Sequence, residues 1–244
     1  MVLLSSDSLD AERLGMQQLN TLAVDIGGSG IKVMVLDGAG QPLTKRDRLD
    51  TPGSATPKAV IPMITKLAAG KEFDRVSVGF PGVVRQGRTM TAVNLHPDWH
   101  NYDLQRALED KLSAPVRVAN DADIQGFGAI QGTGVELVVT LGTGFGSALF
   151  VDGTLVPNLE LGHHPFRKGD TYEEQLGRAA LDSEGKGKWN RRLEKAIAKL
   201  DRVFNYQVLY LGGGNAKEIT FDLPDNVQTV RNVAGLLGGI ALWK

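Results

Sequence analysis

Leu22-Ala23-Val24-Asp25-Ile26-Gly27-Gly28-Ser29-Gly30-Ile31-Lys32-Val33-Met34-Val35-Leu36 decides how this chain is read. An apolar run with one acid inside it predicts a buried strand, and the glycine-rich turn before a second β-rich run predicts a hairpin. Glycines in such a turn leave backbone N–H groups uncovered by any Cβ, which suits phosphate. Asp25, at the end of its strand, is placed to orient a hydrated Mg²⁺, and Lys32 to reach back as a point charge. A plain hairpin with glycines chosen for turn geometry is the alternative. No Gly-Lys-Ser/Thr opens a helix here, so the turn is not a Walker loop, and the strand that follows excludes a dinucleotide fingerprint.

The same pattern returns in the second half of the chain. Glu136 to Leu141 reads as a strand, Gly142-Thr143-Gly144-Phe145-Gly146 as the turn, and Ser147 to Val151 as the return strand. A phosphate cradle and a tight bulged hairpin both fit that turn. Strands alternating with helices follow each hairpin, which predicts two α/β lobes with a cleft between them. The small N-terminal lobe is expected over 20–118, joined by a C-terminal helix over 232–244. The larger lobe is expected over 119–231.

Further elements fill in this outline. A third strand is expected within Pro42 to Leu49. Thr56-Pro57 should open a helix with Thr56 as its cap, and Val76 to Phe80 is a strand ending at Pro81-Gly82. Asp103 to Leu112 has helical spacing, and a helix of small residues should run from Asp121 to near Gly132. Asp182 to Val203 reads as one long amphipathic helix with Trp189, Leu193, Ala196, Ile197 and Leu200 inward.

Composition narrows the function classes. The chain has 244 residues, 42% hydrophobic and 23% charged, with net charge -1, so neither disorder nor a nucleic-acid partner is expected. No apolar run reaches membrane-spanning length, and Met1 to Asn20 lacks a basic start and a long apolar run. That leader is expected to be ragged or a short helix, and the protein cytoplasmic. There are no cysteines, which excludes disulfides, thiolate zinc sites and a cysteine nucleophile.

Three more clusters could carry chemistry. Asn120-Asp121-Ala122-Asp123 lies at a strand-to-helix junction, where a carboxylate can take a proton from a hydroxyl; helix capping by Asn120 or Asp121 is the alternative. Glu160-Leu161-Gly162-His163-His164 places an acid and an imidazole three apart, able to hydrogen-bond a polyol or, less simply, to ligate a metal. Gly212-Gly213-Gly214-Asn215 follows an apolar strand and offers either a flat floor for a base or phosphate or a strained loop.

Taken in order, these motifs resemble the ROK family of sugar kinases and repressors, from about residue 22 to 243. Asp25 to Lys32 is similar to its first phosphate motif, Phe80-Pro81-Gly82-Val83-Val84 to its inter-lobe segment and Asn120 to Asp123 to its catalytic motif. Leu141 to Gly146 is similar to its second phosphate motif, Glu160 to His163 to its sugar motif and Gly212 to Gly214 to its nucleotide-side motif. Within the family, the lack of a cysteine-rich zinc motif and the run Gly153-Thr154-Leu155-Val156-Pro157-Asn158 resemble the polyphosphate glucokinase subgroup.

The resemblance implies a two-lobed hexokinase/actin-like (ribonuclease H-like) ATPase fold with an inter-lobe cleft. It implies glucose or a related hexose as acceptor, ATP or polyphosphate as donor, and Mg²⁺ as cofactor. Asp121 would be the general base on the sugar's 6-hydroxyl. Asn94, Asn120, Glu160, His163 and Glu173 would hold sugar hydroxyls. Asp25, Gly27, Gly28, Ser29, Gly30, Lys32, Gly142, Thr143, Gly144, Gly212, Gly213, Gly214 and Asn215 would serve phosphate and nucleotide, with Asp25 touching Mg²⁺ through water. Without cysteine partners His163 carries no structural zinc. A homodimer is implied, and the stretch before Leu22 is expected to be too short for the repressors' helix-turn-helix.

Glu184 to Arg202 carries seven positive and three negative residues, a face of net +4 that could guide a polyanion or be an ordinary solvated helix. Two other readings remain: a catalytically degenerate sugar- or nucleotide-binding protein, and an ATPase clamp for protein partners.

Overall fold

The computed structural model describes residues 19–92, 95–230, 236 and 238–243. The described chain forms two compact units, one up to Ile124 with the segment from Leu236, the other from Gln125 to Gly235.

In the first unit, strands β1 (Thr21–Ile26), β2 (Gly30–Leu36) and β3 (Asp47–Asp50) precede helix α1 (Pro57–Ala68) and β4 (Arg75–Phe80). Short strands β5 (Val84–Arg85), β6 (Arg88–Thr89) and β7 (Tyr102–Asp103) form a small sheet, followed by α2 (Leu104–Leu112), β8 (Val116–Asn120) and α3 (Asp121–Phe127). The main sheet has the order β3-β2-β1-β4-β8. β1 pairs antiparallel with β2 and parallel with β4.

The apolar run that announced β1 is buried on both faces, as period-two geometry requires of a central strand. Leu22, Val24 and Ile26 join the core under α1 and α2, with Trp99 at its floor. Ala23 faces the other way, against Met34, Leu36, Leu236 and Ile240. Burying each such aliphatic side chain contributes about 1.5–3 kcal/mol. The C-terminal segment is locked to that second face: Ser77 Oγ donates to Gly239 O at 2.6 Å and accepts from Trp243 Nε1 at 2.8 Å, while Arg117 lies over the Trp243 ring.

The second unit repeats the topology. β9 (Val135–Leu141), β10 (Phe145–Val151) and β11 (Thr154–Val156) lead through a small hairpin, β12 (Pro165–Arg167) and β13 (Asp170–Thr171), to three helices. These are α4 (Tyr172–Leu176), α5 (Arg178–Glu184) and α6 (Lys186–Phe204), followed by β14 (Val208–Gly212) and β15 (Val227–Thr229). The sheet order is β11-β10-β9-β14-β15, third-second-first-fourth-fifth as in the other unit. Leu137, Val139 and Leu141 face Trp189, Leu193, Ala196, Ile197 and Leu200, the inward stripe read from the sequence. Val138 faces Ala148, Phe150 and Tyr210.

Four elements depart from expectation. The long helix over Asp182 to Val203 is two helices, because Gly185 at φ 77 turns the chain between α5 and α6. α3 stops at Phe127 rather than near Gly132, because the buried Glu136 carboxylate collects the N–H groups of Gln131, Gly132 and Thr133 at 2.7 to 3.1 Å. β3 is confined to Asp47–Asp50, with Pro42 forming only an isolated bridge to Leu36. Of the helix expected over 232–244, residues 238–243 form a 3₁₀ helix, and 232–235, 237 and 244 lie outside the described residues, as does the leader to residue 18. Thr56 caps α1 as read. No helix among the described residues is long and apolar enough to cross a membrane.

Glu136 also accepts from Tyr210 Oη at 2.9 Å, and burial with this contact pushes the Tyr210 hydroxyl up to about 12. Glu136→Ala strands three backbone donors and a buried hydroxyl, and is expected to cost at least about 2 kcal/mol. A urea midpoint unchanged from that of the unmodified chain would contradict this role.

Candidate active site

In the first unit the polar groups gather at the ends of the central strands. Asp25 and Lys32 are direct partners in the β1–β2 register, and Lys32 Nζ meets Asp25 Oδ2 at 2.7 Å. The turn between them exposes Gly28 and Ser29. Thr51 Oγ1 donates to Gly27 O at 2.6 Å and Arg48 donates to Ser29 O at 2.9 Å, so β3 braces the turn from the side. Sequence reasoning missed Thr51 and Arg48; only the pairing of β3 with β2 brings them there.

β8 ends at Asn120, and α3 begins at once with Asp121. Asn120 Oδ1 accepts from Ala122 N at 2.7 Å and Asp123 N at 3.3 Å, and its Nδ2 donates to Gly82 O at 3.2 Å. The capping alternative is therefore realised by Asn120, and this side chain ties the turn at Asn120 to Asp123 to the Phe80-Pro81-Gly82 segment. Asp121, half-buried, accepts from Ala122 N at 2.8 Å through Oδ1. Asn94 lies outside the described residues.

In the second unit three chain segments converge on the β9–β10 turn. Glu173 Oε2 accepts from Phe145 N at 3.2 Å, and a Cβ on Gly144 would lie 2.1 Å from the same oxygen, so a larger residue there would displace the carboxylate. Asn215 Nδ2 donates to Gly142 O at 2.8 Å, and Asn215 N to Leu141 O at 2.9 Å. Gly213, at φ 86, packs so tightly that a Cβ would lie 2.3 Å from Leu141 O. Arg178, also missed in the sequence, donates its backbone N–H to Thr143 O at 3.1 Å.

Glu160 precedes a 3₁₀ turn at Leu161–His163, and its Oε2 lies 3.3 Å from His163 Nε2. His164 instead meets Pro165 O with its Nδ1, beside the Tyr172 ring. Burial pushes the Glu160 carboxyl up, His163 pulls it back, and the negative charge of Glu173 adds to the push. Glu160, His163 and Glu173 thus form one electrostatic group. Among the described residues, no cluster of three or more His, Cys, Asp or Glu could hold a metal ion.

Four of the seven cations of α6 are engaged. Lys186 pairs with Glu218, Lys188 and Arg192 with Glu184, and Lys199 donates to Phe166 O.

Residues 21–172 match the model of the ROK family, and the chain belongs to that family. The polyphosphate glucokinase of Mycobacterium tuberculosis is 31% identical to it over 240 residues, spanning 91% of this chain and 90% of that protein. Among solved structures, the inorganic polyphosphate/ATP-glucomannokinase of Arthrobacter sp. strain KM superposes with TM-score 0.84 at 33% identity, over 93% of this chain and all of that one. A ROK family glucokinase from Streptomyces griseus shares the fold, with TM-score 0.77 at 21% identity over 91% of this chain and 98% of that one. The fold is the hexokinase/actin-like α/β fold.

The raised Glu160 carboxyl has a pH consequence. The folded chain holds that proton more tightly than the unfolded chain, so stability falls as pH rises from the ordinary 4.5 through the folded value. Glu160→Gln removes this loss, so it should raise the melting temperature at neutral pH. Thermal melts across that range read the effect, and a variant that melts lower at neutral pH contradicts it.

Proposed function

We propose that the protein is a sugar kinase that moves a phosphoryl group from polyphosphate or ATP to the 6-hydroxyl of glucose or a related hexose. The observation that carries this reading is Asp121 at the first turn of α3, a turn capped by Asn120, in a chain whose second unit also groups Glu160, His163 and Glu173.

Phosphoryl transfer has a loose transition state, so positioning and charge neutralisation do most of the catalysis. The Asp121 carboxylate takes the proton of the 6-hydroxyl as the oxygen–phosphorus bond forms. The bond from the transferred phosphorus to the leaving ADP or shortened polyphosphate breaks in the same step. Asn120 is a positioning residue, since its carboxamide is engaged with the backbone of its own turn and with Gly82. Glu160, His163 and Glu173 hold sugar hydroxyls. A sugar lacking one of these hydroxyls would lose a hydrogen bond that the site cannot replace, which makes such a site selective. The turns Gly27 to Gly30, Gly142 to Gly144 and Gly212 to Asn215, with Lys32, supply donors to phosphate.

The donor set suits Mg²⁺. Asp25 keeps Oδ2 on Lys32 and carries no hydrogen bond on Oδ1 among the described residues, and a single carboxylate reaching the ion through water is the usual protein share for Mg²⁺ with phosphates. When bound, Mg²⁺ neutralises charge on the phosphate chain. A cytoplasmic homodimer belongs to the same proposal, by family resemblance, and sedimentation gives the mass that checks the dimer.

A coupled assay crossing several hexoses with ATP and long-chain polyphosphate tests the reading. Asp121→Asn should lower kcat by at least about 10² with little change in hexose affinity. Hexose-induced thermal stabilisation with no turnover on any donor would favour a binding protein instead.

A further inference from the structure

We propose that Arg178 binds the phosphate chain of the donor, as part of the second unit's glycine turns; this rests on the kinase reading above. The residue follows Gly177, whose own position is constrained: a Cβ there would lie 2.8 Å from both Glu173 O and Thr143 O. That close packing lets the Arg178 backbone N–H reach Thr143 O at 3.1 Å, so the start of α5 is fastened to the exposed tip of the β9–β10 turn.

The side chain is fastened as well. Its Nε meets Asp182 Oδ1 at 2.9 Å, and one terminal nitrogen donates to Asn215 Oδ1 at 3.2 Å. Asn215 is 3% exposed and already holds Gly142 O and Leu141 O. The guanidinium therefore belongs to one network with the turn at Gly142 to Gly144 and the loop at Gly213 to Asn215. Among the described residues, Arg178 is the cation hydrogen-bonded to these turns.

What remains of the guanidinium is available to a ligand. Arginine has five N–H donors; Asp182 and Asn215 take one each, and the others meet no acceptor among the described residues, on a side chain 54% exposed. An ordinary surface arginine loses much of its binding energy to side-chain entropy, but here Asp182 and Asn215 have already restricted the rotamer. Gly142 and Gly214, on either side of it in the network, have nothing within 4 Å of where a Cβ would stand, and neither needs a positive φ. Local packing does not demand glycine at either position, whereas the approach of a ligand to bare backbone does. A planar fork beside uncovered backbone matches the paired oxygens of a phosphate chain. Nucleoside triphosphate and inorganic polyphosphate share that chemistry.

Titration calorimetry on the full chain and on Arg178→Ala, with a non-hydrolysable ATP analogue in one arm and long-chain polyphosphate in the other, tests the assignment. The Kd should rise about tenfold or more in at least one arm, the loss expected for a charged hydrogen-bonding partner. The arm that loses identifies the donor that Arg178 holds. Arg178→Lys should recover part of the loss as a point charge. Glucose affinity should stay within about twofold. Donor Kd values unchanged in both arms, no donor binding by the unmodified chain, or a parallel fall in glucose affinity would each overturn the proposal. If Arg178→Ala does not fold, Arg178→Lys and Arg178→Gln give the same comparison. An unmodified chain that binds donor through Arg178 yet phosphorylates no hexose would sink the kinase reading and leave this site standing.

Discussion

A strand buried on both faces can meet water only at its ends, and that constraint organises both units. β1 and β9 each lie at the middle of a five-stranded sheet with apolar side chains packed above and below. Polar groups are excluded from the middle of such strands by the cost of desolvation. Asp25 stands one residue before the end of β1, Asn120 closes β8, Gly142 follows β9, and Gly213 follows β14. Because β1, β4 and β8 run parallel, as do β9 and β14, these ends fall on a common edge of each sheet. The chemistry of each unit is gathered there by topology before any side chain is chosen.

What the second unit adds is mutual support among its loops. Glu173 accepts from Phe145 N and sits in the space that Gly144 leaves open, while its charge reaches Glu160. Glu173, which the family resemblance places among the sugar ligands, is thus also a brace for the β9–β10 glycine turn. Asn215 ties the loop after β14 to the turn after β9 by side chain and backbone together. A flexible glycine turn gains a defined shape in this way, and its backbone donors are ordered before a ligand arrives, which reduces the entropy lost on binding.

Much of this was legible in the linear order of residues. Strand β1, its glycine turn and β2 follow from local pattern, as do the Thr56 cap and the inward stripe of α6. Gly185 defeated the single-helix reading because an amphipathic stripe continues in register past one residue whose positive φ breaks the hydrogen-bond ladder. The end of α3 was misplaced because the group that captures its following N–H donors, Glu136, belongs to the next strand. The basic stretch over 186–202 read either as a guide for a polyanion or as an ordinary solvated face, and the partners of Lys186 and Lys199, Glu218 and Phe166, come from distant segments.

By itself the sequence determined which segments become two-faced strands, where glycine turns interrupt them, and which family motifs they carry, because each depends on near neighbours in the chain. Tertiary structure alone decided that Asn120 caps α3 and reaches Gly82, that His163 rather than His164 meets Glu160, and that Arg48 and Arg178 brace the turns. Those outcomes depend on which backbone donors and acceptors two remote segments leave unsatisfied when they pack, and no local pattern encodes that.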